Sequence, residues 1–179
     1  SYFAELLGLD HSDRYLILNP FFHSFGYKAG ILACIVSGAR ILPEATFDVD
    51  HILTRISRDK VSVMPGPPTI FQTLLAHPKL NAFDLHSLKK ATTGAAVIPT
   101  QLIVDMKQIL GIETVITAYG LSESCGLATM CRRGDAEELI ASTSGRAIPE
   151  IEVAIKNENG DILAAGESGE IVIRGFNVM

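Results

Sequence analysis

Through the first two thirds of the chain, short apolar or β-branched runs alternate with stretches whose apolar positions recur every three or four residues. The first pattern predicts buried strands and the second predicts helices. Tyr15-Leu-Ile-Leu18 reads as a strand, and Phe25 to Val36 as a mostly apolar helix stopped by Ser37-Gly38. Arg40-Ile-Leu42 is a second strand, ended by Pro43. Val49, Ile52, Leu53 and Ile56 share one helical face, with Arg55, Arg58 and Asp59 on the other. Val61-Ser-Val-Met64 is a third strand, and the Pro65-Gly66-Pro67-Pro68 loop leads into a helix over 69–76. Leu88 to Thr93 is a fourth strand. Pro99 then opens a helix carrying Leu102, Ile103, Met106, Ile109 and Leu110, which Gly111 ends before a fifth strand, Thr114-Val-Ile-Thr117.

Strands separated by single helices specify a parallel sheet covered by helices. The predicted fold class is therefore α/β: a five-strand, mainly parallel layered sheet with helices on both faces. After about Ser144 the pattern changes: Val153 and Ile155 alternate with polar residues, Asn159-Gly160 is a strong hairpin turn, and Glu170-Ile-Val-Ile-Arg174 returns as a strand. This predicts a small antiparallel β element. The expected division is an α/β unit over 1–143 and the start of a β unit over 144–179.

Composition narrows the class of function. Hydrophobic residues make up 47% of the 179, ample for a buried core. Net charge is −5, from 15 basic and 20 acidic residues, with no basic run. Nucleic-acid affinity depends on clustered Lys and Arg, so nucleic acid is not an expected partner. The three cysteines, Cys34, Cys125 and Cys131, are odd in number and form no C-x-x-C pair, which fits neither a disulfide framework nor a zinc knuckle. With no apolar run long enough for a membrane span and no signal-peptide pattern, the expected location is the cytoplasm.

In open α/β sheets ligands bind at the carboxyl edge of the strands. The loops after strands one, four and five are Asn19-Pro-Phe-Phe-His23-Ser-Phe-Gly26, Thr92-Thr93-Gly94-Ala95-Ala96 and Ala118-Tyr119-Gly120-Leu121-Ser122-Glu123-Ser124. They gather small residues, one histidine, one tyrosine and one carboxylate at a single edge. Each feature alone also has a structural reading: His23 as a packed histidine, Thr93 to Ala96 as a tight turn, Glu123 and Ser122 as a helix cap. The Thr92-Thr93-Gly94 stretch lacks the spacing and lysine of a nucleotide-triphosphatase phosphate loop, which excludes that reading.

Phe22-His23-Ser24-Phe25-Gly26, Thr93-Gly94-Ala95-Ala96, Ala118-Tyr119-Gly120-Leu121-Ser122-Glu123 and Gly166-Glu-Ser-Gly169-Glu170-Ile-Val-Ile-Arg174-Gly175 occur in that order. Together they resemble successive signatures of the acyl-adenylate-forming superfamily, in the form most like fatty-acid and aryl-acid CoA ligases. The resemblance covers essentially the whole chain. It implies a two-step reaction: a carboxylate attacks the α-phosphate of ATP to give acyl-AMP and pyrophosphate, and coenzyme A then displaces AMP. It also implies nucleotide contacts at Gly94, Ala95, Ala96, Thr117, Ala118, Tyr119, Gly120 and Ser122. The acyl group would lie against His23, Phe25, Gly26, Pro67, Gly94 and Ala118. Catalytic roles fall to His23 as an aromatic gate, to Ser122 as a donor to the α-phosphate, and to Glu123 as the Mg²⁺ ligand. The Pro65 to Pro68 loop and Gly26-Tyr27-Lys28 resemble those of CoA ligases acting on ring-containing acids such as steroid side-chain fragments.

The departures carry an expectation too. The superfamily's Ser/Thr/Gly-rich phosphate loop has no counterpart before Tyr15, and its Thr-Gly-Asp motif and C-terminal lysine would lie beyond Met179. The chain reads as an inner piece of a larger synthetase whose remainder would be its partner, and on its own it is expected to be inactive. Two alternatives stay open: an adenylation domain for an amino or aryl acid in a peptide synthetase, with Asp48 near the pocket loops, and a non-catalytic acyl- or nucleotide-binding module. An unrelated α/β protein matching by chance is a third.

Overall fold

A computed structural model describes residues 1–94 and 96–179. In chain order the elements are α1 (Tyr2–Leu7), β1 (Arg14–Ile17), a π-helical stretch (Phe25–Leu32) running into α2 (Ala33–Ser37), β2 (Arg40–Pro43), α3 (Val49–Asp59), β3 (Val63–Pro65) and α4 (Pro68–Leu75). They continue as β4 (Lys90–Thr93), α5 (Thr100–Gln108), β5 (Thr114–Tyr119), β6 (Thr129–Met130), α6 (Glu137–Ser142), β7 (Arg146–Ala147), β8 (Ile151–Lys156) and β9 (Glu170–Gly175).

The five expected strands form a parallel array in the order β2-β1-β3-β4-β5. Two short antiparallel strands, β6 and β7, widen it to seven. The crossover from β1 runs outward to β2, whereas that from β2 returns past β1 to β3, and later strands continue the same way. Right-handed crossovers in opposite directions put helices on opposite faces, with the π-helical stretch and α2 on one and α3, α4 and α5 on the other. They also create a topological switch point between β1 and β3, the place where an open α/β sheet leaves a crevice.

The core fills both sides of this sheet. Leu16, Ile17, Val63, Met64, Ala91 and Ile116 are buried on the strands, against Ala33 and Cys34 of α2, Ile52, Leu53 and Ile56 of α3, Phe71 and Leu74 of α4, and Ile103 and Met106 of α5. Burial pushes the Cys34 thiol up to about 12, which keeps it unreactive at neutral pH. At the edge opposite the crevice, Lys90 Nζ lies 2.6 Å from Asp13 Oδ2 and donates to the Gly8 carbonyl at 2.6 Å, while Ser62 Oγ donates to Asp13 Oδ1 at 2.7 Å. These bonds tie the end of α1 to the starts of β1, β3 and β4 around a largely buried charge pair.

The helix boundaries follow local chemistry. Asp48 accepts the His51 N–H at 2.8 Å and caps α3, whose far end turns on Lys60 at φ 51. Asp48→Ala is expected to lower stability by about 1 kcal/mol, read as a shift of the urea midpoint without change of slope. Gly38, at φ 77, closes α2 as expected. The helix over 25–36 forms, but its first turns are π-helical where Gly26 packs onto the loop after β1. A Cβ at Gly26 would collide with the Pro20 carbonyl oxygen.

The antiparallel β element after 144 also forms, as the separate β8–β9 sheet. Asn159-Gly160 does turn the chain, with Asn157 Oδ1 accepting the N–H groups of Asn159 and Asp161. That turn returns only to Ile162 and Leu163, which pair with Lys156 and Ile155, and β9 begins later. Among the described residues no helix is long and apolar enough to cross a membrane.

Candidate active site

Four loops meet at the crevice. Asn19, His23, Ser24 and Phe25 follow β1; Gly66 and Pro67 follow β3; Thr92, Thr93, Gly94 and Ala96 close β4; Ala118, Tyr119 and Gly120 end β5. With Gly126 and Ser144 they line one cleft of about 500 Å³, within the usual range for small-molecule sites. No acidic side chain lines it among the described residues. Asp48 caps α3 instead of entering the cleft.

The loops are held by contacts that the residue types require. Gly66 N–H donates to the Thr92 carbonyl at 2.9 Å, fixing the Pro-rich loop against β4. His23 is exposed, and its Nδ1 accepts the Phe25 N–H at 3.1 Å, which orients the ring over the start of the π-helical stretch. Phe25 meets the Phe3 ring edge-on with centroids 6.0 Å apart. A Cβ at Gly94 would stand 3.3 Å from the Ala118 carbonyl oxygen, so bulk there would close the gap between β4 and β5.

The loop after β5 is a tight self-bonded turn. Leu121 N–H donates to Ser124 Oγ at 2.9 Å, and Gly126 N–H donates to the Leu121 carbonyl at 2.8 Å. The backbone crosses itself where Gly120 meets Gly126, and a Cβ at Gly120 would collide with the Gly126 carbonyl. Ser122 and Glu123, just after the cleft-lining Gly120, are exposed and do not line the cleft. The turn is strapped from outside: Asn177, 8% exposed, donates through Nδ2 to the carbonyls of Ser124 at 2.8 Å and Leu127 at 2.6 Å. Met179 N–H donates to the Glu123 carbonyl at 2.9 Å.

The chain matches the family model described as AMP-binding enzyme over residues 1–179. It belongs to the AMP-binding enzyme family. Two relatives bear the name 3-[(3aS,4S,7aS)-7a-methyl-1,5-dioxo-octahydro-1H-inden-4-yl]propanoyl:CoA ligase. The one from Mycobacterium tuberculosis is 49% identical over 93% of this chain and 31% of its own length. The one from Rhodococcus jostii is 45% identical over 98% of this chain and 32% of its own length. The anthranilate CoA ligase AuaEII, solved with anthranoyl-AMP, superposes with a TM-score of 0.87 at 26% identity over 98% of this chain and 34% of that one. The chain spans about a third of the length of the relatives it matches.

Within this family member the residues singled out in the sequence are placed differently by the fold. His23, Phe25, Pro67, Gly94, Ala96, Ala118, Tyr119 and Gly120 converge on the cleft. Ser122 and Glu123 are exposed and do not line it, and Gly26 is buried against Pro20 and does not line it either. Ala95 lies outside the described residues. Thr117 borders a second hollow of about 480 Å³ on the far side of the Gly94–Ala118 seam, with Val97, Ile98 and Ala141 to Ser144. Its hydroxyl is committed to structure: it donates toward the carbonyls of Ile140 and Thr143, each at 3.0 Å. Its contribution there is to fix α6 against β5.

Several contributors had no role assigned from the sequence, although Asn19 and Thr92 stand in loops it placed at the sheet edge. Asn19 and Thr92 line the cleft, and Ser144 borders both hollows. Asn177 was visible only as a lone polar residue in an otherwise apolar tail.

The site fits the ligands that the family name implies. The two hollows share Gly94, Ala96, Ala118 and Ser144, which suits a ligand of two parts lying across one seam of small residues. Among the described residues no group of three or more His, Cys, Asp or Glu could cage a metal, and Glu123 makes no ion pair. One exposed carboxylate is the protein's usual share for Mg²⁺ carried in on phosphates, which takes one or two carboxylates and retains waters.

Proposed function

We propose that this chain is the central part of an ATP-dependent acyl-CoA synthetase acting on a bulky, ring-containing carboxylic acid. The observation that carries the reading is the convergence of the β1, β3, β4 and β5 loops on one cleft at the switch point. The length of the relatives and the superposition on a CoA ligase with an acyl-AMP support it. The ring class is supported by the two ligases of near-half identity and by an uncharged cleft lined with Phe25, Pro67, Gly94 and Ala118. The division into an α/β unit over 1–143 and the opening of a β unit over 144–179 belongs to the same proposal.

The acid lies in the main cleft with its carboxylate toward the mouth. One carboxylate oxygen attacks the α-phosphorus of ATP, the bond to the β-phosphate oxygen breaks, and pyrophosphate leaves. The adenine rests against the face of Tyr119, beside Gly94 and Ala96. Ser122 donates its hydroxyl to an α-phosphate oxygen, and Glu123 would hold Mg²⁺, which when bound would offset the charge that builds on the departing pyrophosphate. His23, on the surface beside the reacting carbon, covers the acyl-AMP and shields it from water. In the second step the coenzyme A sulfur attacks the acyl carbon as AMP leaves.

The test is acid- and ATP-dependent pyrophosphate release by the full-length protein across fatty, aryl and bicyclic propanoic acids, followed by acyl-CoA formation. Acyl-AMP formation with no acyl-CoA would make the acceptor something other than coenzyme A. Release with none of the acids would overturn the reading. The polypeptide 1–179 alone is expected to give no turnover, and acid-dependent pyrophosphate release from it would contradict that.

A further inference from the structure

Three buried side-chain oxygens in the main cleft have no hydrogen-bond partner among the described residues: Asn19 Oδ1, Thr92 Oγ1 and Thr93 Oγ1. Thr92 and Thr93 are each only 2% exposed. Burying a polar group unpaired is unfavourable, and such groups are few in a folded protein. Asn19 and Thr92 border the same cleft, so their two unpaired oxygens are read together. The reaction described above uses none of them, since its polar work falls to His23, Ser122 and Glu123.

Their placement sets them back from the reacting end. Thr92 is inside β4, paired with Pro65 on one side and Ile116 on the other. Strand alternation puts its side chain on the face shared with Ile17 and Pro65, and that of Thr93 on the opposite face. Asn19 follows β1 by two residues, so Asn19 and Thr92 flank the end of β3 at the switch point. Ser122 and Glu123, by contrast, are exposed and outside the cleft lining.

We propose that Asn19 and Thr92 form a specificity-determining polar floor. It hydrogen-bonds an oxygen carried by the body of the acid, a ring ketone or hydroxyl remote from the carboxylate. The proposal rests on the acyl-CoA synthetase reading and adds the residues that choose among ring acids. A threonine hydroxyl donates to either kind of oxygen, and an asparagine amide offers both an acceptor and a donor. A purely hydrocarbon acid of the same shape would seal these groups away from water unpaired. A pocket built to hydrogen-bond its substrate discriminates strongly against the analogue that lacks the group.

The experiment uses the full-length protein and acid-dependent pyrophosphate release. Its substrates are 3-(octahydroindenyl)propanoic acid and its mono-ketones and mono-alcohols at each ring carbon. At least one oxygenated acid is expected to exceed the hydrocarbon by about 10-fold or more in kcat/KM. Thr92→Val should bring that ratio to within about threefold, and Thr92→Ser should keep it. If Thr92→Val does not fold, Asn19→Leu, in a loop outside the sheet, carries the same readout. A hydrocarbon acid turned over as well as every oxygenated one overturns the polar floor and leaves the synthetase reading standing. A preference that survives both Thr92→Val and Asn19→Leu overturns the assignment to these residues. If no acid of any class drives pyrophosphate release, the synthetase reading falls and the floor falls with it.

Discussion

Glu123→Gln in the full-length protein is expected to slow acid-dependent pyrophosphate release by about 100-fold or more, while transfer from preformed acyl-AMP to coenzyme A falls less than about 10-fold. The asymmetry follows from where charge develops. In the first step pyrophosphate departs with its negative charge, and a metal ion stabilises such a transition state by several kcal/mol, each 1.4 of which is a factor of ten in rate. In the second step the leaving group is AMP and the pyrophosphate is gone. Glu123 supports this role by exposure: it lies in the Ser122 to Ser124 turn just after the cleft-lining Tyr119 and Gly120, and among the described residues it makes no ion pair. Raising magnesium should recover part of the loss. The measurement is the two half-reactions assayed separately, and equal losses in both would argue against a metal-holding role for Glu123.

Where the sequence was legible, the reason was periodicity. β1 to β5 and the helices between them carry enough residues to display an apolar run or a helical stripe, and their alternation implies both the parallel sheet and its carboxyl edge. β6 and β7 are two residues each, too short for any pattern, and are held by tertiary bonds: Thr129 Oγ1 donates to the Ser144 carbonyl at 2.7 Å, and Arg132 Nη2 to that of Ala147 at 2.9 Å. The π-helical stretch was legible as helix but not in its pitch, which answers to the contact of Gly26 with Pro20. Thr117 shows the converse limit. Its place beside Ala118 and Tyr119 was evident, but a sequence does not reveal that its hydroxyl faces α6. Thr92 and Thr93 were legible as a strand end, and only burial without partners marks them as more.

Asn177→Leu tests how the mouth of the site is held. The side chain is buried, and its amide donates to the carbonyls of Ser124 and Leu127, fifty or more residues away in sequence. Leucine fills similar space but leaves the Leu127 carbonyl without this donor, while the Ser124 carbonyl keeps the Leu127 N–H at 3.3 Å. Two lost hydrogen bonds, offset in part by removal of the unpartnered Asn177 Oδ1, correspond to a loss of about 1–3 kcal/mol, visible as a lower unfolding midpoint. The same bonds clamp the turn that carries Ser122 and Glu123, together with the Met179 N–H to the Glu123 carbonyl. The variant should therefore also need several-fold more magnesium for half-maximal adenylation, measured well below its unfolding temperature. Transfer of the acyl group from preformed acyl-AMP should change much less. A variant that loses stability but keeps its magnesium requirement would make Asn177 a purely structural strap. One that shifts the requirement shows that the tail after β9 positions Glu123, even though Asn177 touches no substrate.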